Sequence, residues 1–328
     1  MNRRTFSLSA IAAALTATAI SSRAADVFGA DNTAIKIIVP FAPGGSADIV
    51  ARLIGPALSA HLNRPVIVEN RPGAGGSIGT NEIAKSKPDG LTLGIATVSG
   101  MATAPASSKV AYNVLKDFTA ITNLATTPNL IAVHPSFPAK NFKEFLAVVR
   151  KNPGKFSYAT SGIGSVGHLQ MLLLSEAAGL SLVHVPYSGA GPALAGVISG
   201  QGPGIIFDQL PSVKTQVFAG KLRAIVTAAE HRLPTPLDMP TLSEEGFVQA
   251  NRSAFYGLVG PAGMPKPVSE RLRTALTTML ITDFTLRNQL SDRGMDVDVV
   301  SGERFAAMLK NEFELYQKLV QKTGLKAS

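Results

Sequence analysis

Short β-branched runs, each followed by a glycine- or proline-marked turn and a stretch of helical spacing, recur along most of the chain. Residues 35–39, Ile-Lys-Ile-Ile-Val, predict a strand, and 46–62 predict a helix with Ile49, Leu53 and Ile54 on one face. Pro56 falls inside that helix and should kink or split it, because proline lacks the N–H and crowds the preceding turn. A strand over 65–69, a short helix over 77–86 and a strand over 91–97 follow, with Pro88-Asp89-Gly90 as the turn between the last two. The same grammar returns later. Strands are predicted over 130–133, 156–160, 182–185, 204–207 and 222–227, and helices over 142–151, 168–178 and 191–199. From Ser301, the positions Phe305, Met308, Leu309, Phe313, Tyr316 and Val320 recur at helical spacing, and Gly324 marks the stop. Strands alternating with helices predict an α/β fold of mostly parallel sheets flanked by helices, and the shared plan of the two halves predicts two similar lobes.

The first residues break this pattern. Arg3 and Arg4 are followed by an uncharged run from Leu8 to Ile20, and Ser22-Arg23-Ala24 offers small residues for cleavage. This is the three-part layout of a secretory signal, and the run is short of the ~20 apolar residues that span a bilayer. Residues 1–24 therefore read as a cleavable signal peptide and the mature chain as exported. Asn2-Arg3-Arg4-Thr5-Phe6 also partly matches a twin-arginine signal, so the Sec and twin-arginine routes both stay open.

Composition narrows the classes further. The chain has no cysteine, so an exported protein of this sequence relies on its apolar core and not on disulfides. The net charge is +9, of which Arg3, Arg4 and Arg23 belong to the leader, and the other basic residues are scattered. Nucleic-acid binding calls for a clustered basic stripe with aromatics for stacking, and none is present. The excess positive charge instead favours anionic solutes by long-range steering.

Two glycine-rich segments, Pro40 to Asp48 and Val68 to Gly79, each follow a β-branched run and open a helix. Glycine permits close backbone approach, and a helix start presents unpaired N–H groups, so such turns suit a small anion. Three enzyme-like features stand beside them. Gly75-Gly76-Ser77-Ile78-Gly79 matches a serine-hydrolase elbow, but Asn70 to Ala74 separate it from the strand and no acid and histidine are paired with it. A glycine turn with Ser77 capping a helix is the simpler expectation. Gly162-Ile163-Gly164-Ser165-Val166-Gly167 matches a dinucleotide fingerprint, yet the acid expected about 20 residues on is missing. The five histidines show no metal-ligand spacing.

The chain resembles the Bug-type periplasmic substrate-binding proteins of tripartite tricarboxylate transporters. The likeness runs from about Ile35 to Gly324. It rests on Pro40-Phe41-Ala42-Pro43-Gly44-Gly45 with Asp48 and Ala51-Arg52, on Val68-Glu69-Asn70-Arg71-Pro72-Gly73-Ala74-Gly75-Gly76, and on Pro88-Asp89-Gly90 and Asn152-Pro153-Gly154-Lys155. His184-Val185-Pro186-Tyr187, Phe207-Asp208 and Ala219-Gly220-Lys221-Leu222-Arg223-Ala224 complete it. Departures are Ser188, where the family usually has a basic residue, Gly202-Pro203-Gly204 before Phe207, Phe255 in a usual tryptophan position, and the absence of any tryptophan.

The resemblance implies a two-lobed, type II-like α/β binding protein with a small carboxylate held in the cleft between lobes. One lobe would comprise residues 32–128 and 255–328, and the other 129–254. Backbone groups of two opposed loops would hold the carboxylate, with Pro43, Gly44, Gly45 and Ser46 on one side and Thr160, Ser161, Gly162, Gly164, Ser165 and His168 on the other. Phe41 and Tyr187 would be apolar walls, Asp208 would orient an ammonium or hydroxyl group of the ligand, and Asp48 would contact ligand or serve the helix dipole. Arg71, with Glu69 and Asn70, would brace its own loop. Neither a catalytic role nor a cofactor is implied. Membrane transporter subunits are the implied partner and a monomer the implied state. A sensor reporting to a membrane signalling protein, and an enzyme using the glycine turns, are the alternatives.

Overall fold

The computed structural model describes residues 27–28 and 32–324, so the leader lies outside the described residues. Two mixed sheets carry the fold. The first is built from β1 (Ile35–Val39), β2 (Val66–Asn70), β3 (Thr92–Thr97), β4 (Phe118–Thr127), β10 (Ala254–Pro261) and β11 (Asp296–Val297), in the order β11-β4-β10-β3-β1-β2. The second runs β7-β6-β8-β5-β9, from β5 (Asn129–Val133), β6 (Ser157–Thr160), β7 (Val183–Pro186), β8 (Ile205–Gln209) and β9 (Arg223–Ala228). β1, β2 and β3 pair in parallel, as do β6, β7 and β8. β10 and β5 are each antiparallel to both of their neighbours. The chain passes between sheets twice. Only Pro128 separates β4 from β5, and the return runs from Ala228 to Ala254.

The alternation in β1 explains its layers. Ile35, Ile37 and Val39 face helices α1 (Ser46–Leu62) and α8 (Lys266–Thr282), packing on Val50, Ile54, Leu58, Leu272 and Leu276. Ile38 points the other way, into a cluster with Ile83 of α2 (Ser77–Ala84) and with Phe305, Leu309 and Tyr316 of α10 (Glu303–Thr323). A strand covered on both faces reads as a near-continuous apolar run. The second sheet repeats the scheme. Ile131 and Val133 face α4 (Phe142–Lys151) and α5 (Val166–Ala178), while Leu130 and Ala132 face α6 (Ala190–Ile198) and α7 (Leu210–Phe218).

Some expectations change. α1 is not split at Pro56, because Val50, Ile54 and Leu58 anchor both flanks of the proline in the core. Ser77 does not cap α2. Gly76 holds that position, and the Ser77 hydroxyl donates to Ala74 O at 2.9 Å. Several elements had no sequence prediction: β4, β10, β11, α7, α8, α9 (Phe284–Asp292), a π-helical turn over Ser99–Thr103 and the short α3 (Ala104–Ser107). Among the described residues, no helix is long and apolar enough to cross a membrane.

Candidate functional site

The loops that leave the C-terminal ends of β1, β3, β6 and β8 meet between the two sheets, together with the start of β10, which runs the other way. A crevice beyond the carboxyl ends of parallel strands is where open α/β folds bind ligands. The space between atoms there amounts to about 430 Å³, open solvent included, and its walls include Phe41, Gly45, Ser46, Thr97, Val98, Ser99, Ser161, Ser165, Val166, Gln209, Phe255 and Tyr256. No wall residue carries a charge.

Of the residues singled out from the sequence, Phe41, Gly45, Ser46, Ser161 and Ser165 are walls. The others stand behind these or at the seam between lobes. Asp48 is buried as a brace of the first loop: Gly44 N–H reaches Oδ2 at 3.0 Å, Asn70 Nδ2 reaches Oδ1 at 2.9 Å and Arg52 Nε lies 3.0 Å from both oxygens. Burial pushes its carboxyl up, but the hydrogen bonds from Arg52, Gly44 and Asn70 outweigh that and hold it below the usual range. Arg71 pairs with Glu69 and Glu82 beside its own loop, whereas Asn70 serves the first loop, donating also to Phe41 O at 3.0 Å.

Thr160 and His168 support the second loop from behind. Thr160 Oγ1 lies 2.7 Å from His184 Nε2, and the His184 ring stacks on His168 at 3.9 Å and 10°. His168 Nδ1 accepts from Gly164 N–H at 3.2 Å. Burial lowers both imidazoles to about 4, with repulsion from His168 adding to the effect on His184. Both rings are therefore neutral near pH 7, as a packed stack requires. Tyr187 packs into the second lobe beside α6 and is not a wall.

Asp208 sits at the end of β8, 1% exposed, directly behind Ser161. Ser161 Oγ donates to Oδ2 at 2.7 Å and Gln209 N–H to Oδ1 at 2.7 Å. Burial raises this carboxyl to about 6, against the lowering influence of hydrogen bonds from Ser161, Gln209 and Ser212. Tyr256, also buried, has its hydroxyl pushed well above the ordinary range by burial, opposed by a hydrogen bond with Ser46 and reinforced by the Asp208 charge.

The remaining glycines have a use that the sequence does not suggest. A Cβ on Gly191 would stand 2.3 Å from Pro43 O, and one on Gly189 would stand 2.8 Å from Ala42 N. A Cβ on Gly75 would meet Ile163 O at 2.2 Å, and one on Gly162 would meet Gly75 N at 3.1 Å. Pro43, Gly44, Gly162 and Gly164 thus belong to two seams where backbone lies against backbone across the cleft, and the 73–78 turn supplies a seam and no wall. Three hydrogen bonds fasten the same line: Ala42 N–H to Ser188 O at 3.2 Å, Thr103 Oγ1 to Gly164 O at 2.6 Å and Val166 N–H to Ser99 Oγ at 3.0 Å.

Sequence reasoning missed Thr97, Ser99, Gln209, Ser212 and Tyr256. Thr97-Val98-Ser99-Gly100 does follow a strand and reach a glycine, the same signal used elsewhere, whereas nothing local marks Ser212 or Tyr256. The polar groups form no catalytic relay, for Ser161 faces Asp208 and Thr160 faces His184 without a shared partner. No group of three or more His, Asp or Glu is gathered as a metal site among the described residues.

Comparison with known proteins agrees with a binding cleft. Residues 50–325 match the family described as the tripartite tricarboxylate transporter family receptor. A UPF0065 protein encoded in the tcbD-tcbE intergenic region of Pseudomonas sp. strain P51 is 30% identical over 322 residues, covering 98% of this chain and 95% of that protein. A structure described as a periplasmic transporter is 45% identical with a TM-score of 0.87, covering 90% of this chain and 98% of the other. MatC from Rhodopseudomonas palustris, solved with bound malate, is 32% identical with a TM-score of 0.82, covering 88% and 98%. The chain accordingly belongs to the tripartite tricarboxylate transporter family receptors, and it is a binding protein and not an enzyme.

Proposed function

We propose that the protein is a periplasmic receptor that closes on one small carboxylated solute and presents it to the membrane subunits of a tripartite tricarboxylate-type transporter. The observation that carries this is the cleft itself: an uncharged crevice between two sheets, walled by hydroxyls and by the first turns of α1 and α5. Hydroxyls and backbone N–H groups hold a carboxylate by charge-assisted hydrogen bonds, about twice as strong as neutral ones. The malate in MatC supports the same ligand chemistry here. In this reading residues 1–24 are removed on export, 32–128 and 255–328 form one lobe, 129–254 form the other, and the receptor works as a monomer. Closure follows from the ligand's greater affinity for the closed form.

The test is a thermal-shift screen of the mature chain against small carboxylates, after partial denaturation and dialysis to remove carried-over ligand. At roughly 100 times its dissociation constant a ligand adds about 2.7 kcal/mol. A shift confined to one class of acids, abolished by Ser46→Leu or Ser165→Leu, is expected. Shifts with nucleotides or acyl esters but with no carboxylate would overturn the reading.

A further inference from the structure

The loop between β6 and α5 supplies two cleft walls, Ser161 and Ser165, and two seam residues, Gly162 and Gly164. Gly164 is gripped from both sides of the cleft. Its carbonyl oxygen accepts from Thr103 Oγ1, in the π-helical turn that follows β3, at 2.6 Å. Its N–H donates to His168 Nδ1, in the first turn of α5, at 3.2 Å.

The Gly164 contact fixes the protonation of His168 by geometry alone. A backbone N–H only donates, so Nδ1 carries a lone pair, whereas an imidazolium carries hydrogen on both nitrogens. His168 is thus neutral in this arrangement. A proton arriving at Nδ1 would set two N–H groups against each other, and one side has to move. The ring has little room. It is buried, and His184 lies against its face with ring centres 3.9 Å apart and 10° between the planes. The loop has glycine on either side of the exposed Ile163, so the loop is the side that yields.

The surroundings offer that proton no free counter-charge. Tyr158 of β6 stacks on His184 of β7 at 4.9 Å. Asp208, at the end of β8, is engaged by Ser161 and Gln209. The π-helical turn, α3 and α6 bring no ionisable side chain. Glu312 of α10 pairs with Arg252, whose carbonyl oxygen meets Gln170. Burial accordingly lowers both imidazoles to about 4, with His168 adding to the effect on His184.

We propose that His168 is a positioning residue whose bare Nδ1 holds Gly164 against Thr103, and that a proton taken up there releases the loop and parts the two lobes along this seam. The inference goes beyond the receptor reading, since it concerns the lobes whatever the cleft holds. The closed form excludes the proton, and the parted form, with its imidazole freed from burial, admits it near the ordinary 6.5. Closure is therefore fully favoured above that value. Below it, the closed-to-open ratio falls by up to about tenfold per pH unit, until the closed form itself takes up the proton.

The chain has no cysteine, so Lys85→Cys, just after α2, and Lys151→Cys, at the end of α4, place one spin label beside each sheet at exposed positions. Distances between the labels are read by double electron–electron resonance on the ligand-stripped mature chain, from neutral pH to about pH 5. A second distance population should grow by up to about tenfold per pH unit, with the far-UV circular dichroism unchanged. His168→Asn keeps an acceptor oxygen for Gly164 and takes up no proton, so its populations should not change with pH. Thr103→Val removes the contact across the seam, so the acid response should shrink although the His168 ring still titrates by NMR. A single population at every pH overturns the inference. So does a response retained in full by whichever of these variants folds, or a change in distance that comes only with loss of circular dichroism. No ligand enters the readout, so its failure leaves the receptor reading standing.

Discussion

The hydroxyl oxygens of Ser46 and Ser212 lie 2.6 Å apart, one at the start of α1 over the first sheet and the other in the first turn of α7 over the second. The bond is buried and joins residues 166 apart in sequence. If the lobes part as the proposed receptor cycle requires, this bond breaks, and it then belongs to the closed state of the receptor.

Ser212→Ala should therefore act mainly on closure. It leaves the Ser46 N–H without a partner in the closed form, a loss of about 1–3 kcal/mol. Ligand affinity, read by calorimetry, should fall accordingly, while the melting temperature of the ligand-free chain moves less. Unaltered affinity with a lowered melting temperature would show that the contact serves only the fold.

Gly191→Ala tests the seam. The added methyl would lie 2.3 Å from Pro43 O, a backbone atom that cannot swing aside as a side chain can. The backbone at Gly191 is not left-handed, so the variant should fold. If the substitution makes the closed form a tenth as populated, the apparent dissociation constant rises about tenfold. Small-angle scattering with saturating ligand should show a more open envelope than the parent, and an identical envelope and affinity would refute the seam.

Acid should weaken the fold through the His168 and His184 stack. Both groups titrate near 6.5 when unfolded and near 4 when folded, so between those values the unfolded chain binds protons that the native chain excludes. Stability falls as pH drops through that window. Asp208 works in the opposite sense. Its folded value of about 6 lies above the ordinary 3.8, so protonation between them favours the native state. Urea midpoints measured from neutral pH to pH 4 should decline, less steeply in His184→Asn and more steeply in Asp208→Asn. A flat profile in the parent chain would refute the stack as an acid-sensitive element.

Asp48→Ala should loosen the first loop without removing a wall of the cleft. It strips partners from Gly44, Asn70 and Arg52, and the loss of a buried acceptor corresponds to about 1–3 kcal/mol of stability. The Asp48 carboxyl is held below 3.8, so its contribution is full above that value and fades as pH falls below it. The difference in chemical-denaturation midpoint between parent and variant should accordingly shrink in strong acid, and a constant difference would refute the assignment.

The sequence by itself determined the local elements whose signal is periodic and uninterrupted. β1 shows in Ile-Lys-Ile-Ile-Val because both faces are covered, and α10 shows in the stripe from Phe305 to Val320, ended by the left-handed Gly324. The alternation of strand, turn and helix was enough for the α/β class, and the ordered motifs were enough for the family. β4 escaped because Thr119, Thr122, Asn123, Thr126 and Thr127 interrupt its apolar pattern. Thr122 and Asn123 are buried polar residues whose partners, Val300 and Asp298, come from far along the chain. Only the tertiary structure decided what the glycines and serines do. The sequence shows that Gly75, Gly162 and Gly191 allow close approach, but whether ligand or the opposite lobe approaches depends on the sheet-to-sheet crossing at Pro128. Likewise Ser46, Ser161 and Ser212 are interchangeable in sequence. The Ser161 hydrogen acquires a direction only when folding buries the Asp208 carboxylate behind it, because a hydroxyl rotates to whichever acceptor the fold places within reach.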